Sequence, residues 1–265
     1  MTGRNRHDPR QADDPHERRN PSNRPARSLI DDIRPALRHA SPVELVLLAA
    51  AVIEASTPRP TDPPEVRRPA LVALVDGLVT GSTPEGRALA RAMLPMLDDE
   101  VLSRRTERAL GPEPSAPAPM RPRWLSGVTS LTVTDVVGRD DLLLFGLAWP
   151  GAVDATLVVS LTDGRTDGRT AGLADGPAPS ITDADAVALP MTLVRAQLDG
   201  PAQAVAVGPI PAAVARDRIL AALARGDEGG FPSAGGSDSW PMARPFVEWV
   251  TRRLVTETLR RPPRS

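Results

Sequence analysis

The sequence predicts an α+β protein in which an N-terminal small helical bundle is followed by an antiparallel β-meander packed with C-terminal helices. Three features lead to this prediction. Helix start signals recur between residues 28 and 110. The hydrophobic period changes from helical to alternating after Trp124. Helical apolar faces then return between Pro211 and residue 260.

Composition divides the chain into five segments. Residues 1–27 are polar and rich in Pro and Arg, so ordering them would cost entropy without burial, and we predict a disordered tail. Residues 28–110 form the predicted helical domain. The proline-dense residues 111–123 are predicted to be an extended linker. Residues 124–260 form the predicted α+β domain, and residues 261–265 are a second tail.

Capping patterns place the helices of the first half. Ser41–Glu44 has the Ser, Pro and Glu of a capping box. Thr83 precedes Pro and Glu in a similar pattern, and Pro95 is expected to kink or split the helix that follows. Asp98 or Asp99 can cap the next helix. The predicted helices span about 42–55, 69–81, 83–97 and 100–110.

Alternating apolar residues predict the first strand of the sheet. Leu131, Val133 and Val137 are expected to share one face of this strand. Thr132 and Thr134 are expected on the other face. A half-exposed strand follows from this pattern.

Two further strands follow from the apolar runs. Asp141–Trp149 is almost continuously apolar, which predicts a strand buried on both faces. Ala155–Leu161 alternates and predicts a third strand, with Leu157, Val159 and Leu161 on one face. Less regular patterns suggest a short strand near 170–174, a mostly helical stretch over 181–198 interrupted at Pro190, and an edge strand over 204–207.

Two amphipathic helices are predicted to close the fold. The first runs from Pro211 to Arg225, ends at Gly226 and covers one face of the sheet. Its predicted buried residues are Ala215, Ile219, Ala222 and Leu223. The second carries Phe246, Trp249, Val250 and Leu254 on one face.

Missing residue types narrow the chemistry. The chain has no Cys, Tyr or Lys, which excludes thiolate, phenolate and Schiff-base catalysis and a thiolate zinc site. A formal net charge of −1 gives no bulk attraction to nucleic acid. The N-terminus lacks a secretory pattern, and the apolar run Leu45–Ile53 is too short to span a bilayer. We therefore expect a cytoplasmic protein with no membrane partner.

The repeat TDGRTDGR at residues 162–169 has two interpretations. Asp-Gly pairs favour turns, because Gly accepts positive φ and Asp bonds its own downstream backbone. A Ca²⁺ site would use Asp163, Asp167 and Asp175. However, the spacing does not match an EF-hand, and Arg165 and Arg169 would repel a cation. We predict a solvent-exposed turn between antiparallel strands.

Other polar residues are candidates for a functional site. Asp135, Asp140 and Asp141 could bind a metal together with Asp163 and Asp167, although acids that flank strands and form turns are the commoner explanation. His39 is expected at the surface of a helix end, and Ser160 lacks the G-x-S-x-G pattern of a nucleophile. The sequence therefore names no catalytic residue, no metal site and no cofactor.

Three segments carry a resemblance: PRW at residues 122–124, the strand series LTVTDV and ATLVVSLTDG, and the late helix PAAVARDRILAALARGDE. Together they resemble a group of uncharacterised actinobacterial proteins over about residues 120–260. The resemblance implies the α+β layout and no activity. In that group the third strand ends in a polar segment with Asp, His, Asn, Gly, Lys and Asp. Only Asp163 and glycine remain here, so any site at this loop has lost its His, Asn and Lys.

Three functions follow as hypotheses. The first is a non-enzymatic module for protein–protein interaction with an unidentified protein partner. The second is a divalent-metal-dependent hydrolase that uses the five aspartates of the cluster. The third is weak association with nucleic acid through the Arg-rich termini, with affinity that falls as salt rises. We expect the first.

Overall fold

In the computed structural model of the chain, the described residues are 29–38, 42–58, 70–81, 83–112, 132–139, 142–149, 152–162, 180–198, 207–229 and 239–258. The first half contains helices α1 to α5 and a short 3-10 helix. Their bounds are α1 Leu29–Arg38, α2 Pro42–Ser56, α3 Leu71–Thr80, α4 Pro84–Met93, the 3-10 helix Leu94–Met96 and α5 Glu100–Leu110.

The predicted caps of α4 and α5 are present. The Thr83 hydroxyl accepts a hydrogen bond from the Gly86 amide at 3.1 Å. Asp99 Oδ1 accepts bonds from the amides of Val101 and Leu102, at 2.9 and 3.0 Å. Pro95 lies in the 3-10 helix, so the predicted split of the third helix is confirmed. Ser41 and the predicted capping-box contact lie outside the described residues.

Two arginines of α4 donate hydrogen bonds to carbonyls at the C-terminal end of α5. Arg87 Nη2 donates to the Leu110 carbonyl, and Arg91 Nη2 donates to the Gly111 carbonyl at 3.3 Å. Gly111 has a φ of 63°, a conformation that glycine adopts without steric cost. These contacts satisfy carbonyls that the helix itself cannot pair.

The second half contains a five-stranded antiparallel sheet and helices α6 to α8. The strands lie in the order β4-β3-β2-β1-β5, so β1 to β4 form a meander and β5 returns beside β1. The α+β fold class is therefore confirmed. The bounds are β1 Thr132–Arg139, β2 Leu142–Ala148, β3 Ala155–Thr162, β4 Ser180–Val187, α6 Met191–Leu198, β5 Gly208–Pro209, α7 Ala212–Gly229 and α8 Ser239–Thr258.

The prediction that 181–198 is mostly helical was wrong in its first half. Residues 180–187 form β4, and helix α6 begins only after Pro190. The Asp-Ala-Asp-Ala run has a period of two, with Ala184 and Ala186 buried, and β3 supplies the partner strand. Tertiary pairing therefore overrides the helix propensity of alanine.

The first strand contains a bulge that alternation did not predict. The register with β2 shifts between Val133 and Asp135, so one extra residue lies in β1. Val133 packs with Leu143 and Phe145, whereas Val137 packs in a separate cluster. The expectation that Val133 and Val137 share a face was wrong, because one inserted residue reverses the faces of all later residues. Leu131 lies outside the described residues.

Several other boundaries differ from prediction. The edge strand is Gly208–Pro209, and of the predicted residues 204–207 only Val207 is described, outside the strand. Helix α7 continues past Gly226 to Gly229. The suggested strand near 170–174 lies outside the described residues. The burial of Ala215, Ile219, Ala222 and Leu223 on α7, and of Phe246, Trp249, Val250 and Leu254 on α8, is confirmed.

One hydrophobic core joins the two halves. It contains buried residues of α1, α2 and α4 together with residues of the sheet, α7 and α8, and α2 packs along α8. We call the sheet face that points into this core the inner face; its residues include Leu143, Phe145 and Leu157. The opposite, outer face carries Val137, Leu142 and Leu144, which pack with Val194 of α6.

Candidate functional site

The predicted aspartate cluster is mostly outside the described part of the chain. Asp135 lies in β1, where its backbone is paired with Gly146 of β2. Four other candidates, Asp140, Asp141, Asp163 and Asp167, are not described, and neither are Asp175 and His39. Within the described ranges, no group of three His, Cys, Asp or Glu side chains is arranged to hold a metal ion. The metal and nucleic-acid hypotheses stay predictions.

The neighbourhood of the TDGRTDGR repeat is partly described. Thr162 ends β3 and pairs with Ser180 at the start of β4, and the two strands are antiparallel. Residues 163–179 therefore connect neighbouring strands, while their own structure lies outside the described residues. The turn interpretation stays a prediction. Ser160 is a strand residue, as predicted, and pairs with Asp183.

A cleft of about 430 Å³ lies where the end of α2, the start of α3 and the turn before α5 meet α8. Half of its lining residues are apolar, five are charged and one is a threonine. The volume lies within the range of roughly 300–1,000 Å³ that is typical of ligand pockets. The lining residues are Ile53, Glu54, Thr57, Pro58, Leu71, Met96, Leu97, Asp98, Asp99, Arg244, Pro245 and Glu248.

Helix geometry places the charged groups of this cleft. Glu54 lies in the last turn of α2 and is only 8% exposed. Arg244 and Glu248 lie one turn apart on α8, and Arg244 Nε donates to Glu248 Oε1 at 2.7 Å. Asp98 Oδ1 lies 2.6 Å from Nη1 of Arg252, one further turn along α8. The two ion pairs hold Arg244, Glu248 and Asp98 at the wall of the cleft.

Carboxylates outnumber guanidinium groups in the cleft. Four acids line it, and Arg244 is the basic residue among the lining residues. Asp99 is occupied by the cap of α5, and Arg252 neutralises Asp98 from outside the lining. With Arg252 included, the described residues of the wall place two guanidinium groups beside four carboxylates.

A second surface feature lies at one end of the sheet. Val153, Leu189 and Leu193 are 61%, 36% and 52% exposed, and we call these three residues the end patch. Val153 precedes β3, and Leu189 follows β4, beside the same end of β3, because the Thr156 hydroxyl donates to the Leu189 carbonyl at 2.8 Å. Leu193 follows Leu189 by four residues and lies in the first turn of α6.

The sequence predictions missed both features. The cleft is lined by residues from positions 53 to 248 of the chain, and sequence patterns predict a role only for Asp98 and Asp99, as helix caps. One signal was present: Glu54 is the single acid in the apolar run from Leu45 to Ala55. An acid in such a run must find charged or hydrogen-bonding partners when the helix is buried.

Comparison with known proteins gave no relative: no family model, curated protein or solved structure matched the chain. The residues described here include no helix that is both long and apolar enough to cross a membrane.

Proposed function

We propose that this chain is a non-enzymatic cytoplasmic protein that binds a partner protein through the end patch. The observation that supports this proposal is the exposure of three large apolar side chains at one end of the sheet. Single exposed apolar residues are ordinary on protein surfaces, whereas neighbouring ones that share one end of a sheet are typical of interaction surfaces.

The charges beside the end patch indicate the chemistry of the partner. Asp154 is exposed and directly follows Val153. Asp185 is exposed on β4, where it pairs with Val158 of β3. Arg195, the nearby base of α6, donates to the Val207 carbonyl at 2.9 Å. An apolar surface with acidic neighbours favours a partner segment that carries both apolar and basic side chains.

Site-specific photocrosslinking in the native cell tests the proposal. A benzophenone side chain at position 193 should give one adduct of defined mass, and the crosslinked partner segment should contain apolar and basic residues. The double variant D154N/D185N should reduce the yield, because it removes the acidic neighbours. The same group at Val101, which is 78% exposed on α5, is the matched control.

Three results would contradict the proposal. One is the absence of an adduct at position 193 in cells that contain the folded protein. Another is an equal pattern of adducts at positions 193 and 101. The third is an adduct with twice the mass of the chain, which would identify a second copy of this protein as the occupant of the end patch.

A further inference from the structure

Helix α7 presents an apolar face to solvent on the side opposite its buried residues. The helical period of about 3.6 residues places five exposed apolar residues on the half of the helix opposite the buried Ile219: Ala213, Val214, Leu220, Ala221 and Ala224. We call these five residues the α7 face. Val214 and Leu220 are 46% and 41% exposed. We propose that the α7 face joins two copies of this chain, with the two α7 helices antiparallel about a two-fold axis at Ala221.

The charges on and beside this face select a second copy as the occupant. Asp217 and Arg225 lie four residues before and four residues after Ala221, about 6 Å in each direction along the helix axis. A two-fold axis at Ala221 therefore places Asp217 of each copy beside Arg225 of the other copy and forms two ion pairs. A parallel pair of helices would instead place like charges side by side. The antiparallel arrangement makes the face complementary to itself.

Within one copy, these two charges have few partners. The Asp217 side chain is 73% exposed, and its Oδ1 lies 3.5 Å from Nη1 of Arg216, the preceding residue. Successive residues of a helix do not face each other, and an exposed pair of this kind contributes little to stability. Arg225 is half-buried and forms no ion pair with the residues that the structure describes. A second copy therefore offers each charge a better partner.

The shape of the α7 face also fits a pair of helices. The small side chains of Ala221 and Ala224 let the two backbones approach closely, and Leu220 lies beside the axis, where pairing removes it from water. Helix α7 has 18 residues and is about 27 Å long. A contact of this length and one helix wide is smaller than the roughly 1,200–2,000 Å² that stable interfaces bury. We therefore expect a dimer that forms at micromolar concentrations and dissociates on dilution.

Sedimentation of the full chain at concentrations from about 1 to about 300 µM tests the proposal. The mass should rise from 28.1 kDa toward twice that value. The variant L220E should weaken dimerisation at least about tenfold, because it brings two carboxylates to the axis. L193E is the matched control: it introduces the same charge at a residue of the end patch that is 52% exposed, and it should leave the dimer unchanged.

Two charge variants test the arrangement of the helices. D217R and R225E should each be monomeric alone, because their copies meet with like charges across the axis. An equimolar mixture of the two should form a heterodimer, since arginines of one copy then face carboxylates of the other. No association in this mixture of folded variants would overturn the proposal. So would parent protein that keeps the monomer mass at every concentration, or a loss in L193E equal to that in L220E.

Discussion

The two faces of the sheet pack against hydrophobic clusters of different size. Neighbouring residues of β2 point to opposite faces: Leu143 packs into the core shared with α2, α7 and α8, and Leu144 packs into the small cluster under α6. Both side chains are 0% exposed. The inner face is covered by long helices from both halves of the chain, whereas the described helix that packs on the outer face is the eight-residue α6.

Because of this difference, we expect the inner face to determine the stability of the fold and the end of the outer face to bind the partner. The inner cluster links distant parts of the chain, so we expect it to set the free energy of unfolding. The outer face buries the apolar side chains that hold α6 in place and leaves Leu189 and Leu193 exposed at its end. A short covering element leaves apolar surface for a partner, and the proposed interaction surface lies there.

The variants L143A and L144A test the difference between the two faces directly and should show the largest effects. Both substitutions remove the same atoms from fully buried neighbours. We expect L143A to lower the free energy of unfolding by about 4–5 kcal/mol and L144A by about 2–3 kcal/mol, because a short helix can settle into the vacated space. Urea denaturation of both variants measures the difference. Equal losses would show that the two faces are equally rigid.

A smaller effect is expected at the junction of the outer face and the end patch. Thr156 is buried, and its hydroxyl donates to the Leu189 carbonyl at 2.8 Å. T156V keeps the shape of the side chain and removes this bond, which should cost about 1 kcal/mol of unfolding free energy. T182V, which removes the longer 3.3 Å bond to the Ser160 carbonyl, is the control. A larger loss of unfolding free energy in T182V than in T156V would contradict the view that the Thr156 hydrogen bond holds Leu189 of the end patch in place.

The ion pair between Arg34 and Glu85 lies outside both faces and is expected to contribute less to stability, because surface ion pairs stabilise a fold weakly. A hydrogen bond from its own backbone and the guanidinium of Arg34 lower the pKa of Glu85 at the start of α4. A carboxyl whose pKa is lowered by folding stabilises the fold above its unfolded-state pKa, and that stabilisation is lost as pH falls through the folded-state value.

The variant E85Q should therefore be less stable than the parent at pH 7 by about 0.5–1 kcal/mol. The difference should shrink as pH falls below about 4.5, the ordinary pKa of the group. Thermal denaturation of both proteins between pH 7 and pH 3 measures this change. A difference that grows with acidity would contradict the assigned direction of the pKa shift.

The smallest effect is expected beyond the end of β3. The double variant D163N/D167N should change the unfolding free energy by no more than about 0.5 kcal/mol, since Asn tolerates the same turn geometry. Melting curves with and without Ca²⁺ measure it. A calcium-dependent stabilisation of the parent that disappears in the variant would support the cation-site interpretation instead.

Helices α2 to α5 could be predicted from sequence because their signals are local, whereas α1, Leu29–Arg38, was not among the predicted helices. The side chains of Thr83 and Asp99 accept hydrogen bonds from backbone amides two or three residues later, so a few neighbouring residues determine each cap. The same holds for the split at Pro95, whose ring removes a donor wherever the surrounding chain lies. The continuous apolar run of β2 likewise predicted burial on both faces.

The sequence by itself thus determined the α+β class, the helix caps of α4 and α5 and the central strand of the sheet. Only the tertiary structure decided that residues 180–187 form a strand and that a bulge separates Val133 from Val137, because both depend on a neighbouring strand. It also decided the cleft, whose Glu54 and Glu248 lie far apart in sequence. The local sequence does not determine such contacts, since contact between residues distant in the chain depends on how complete helices and strands pack.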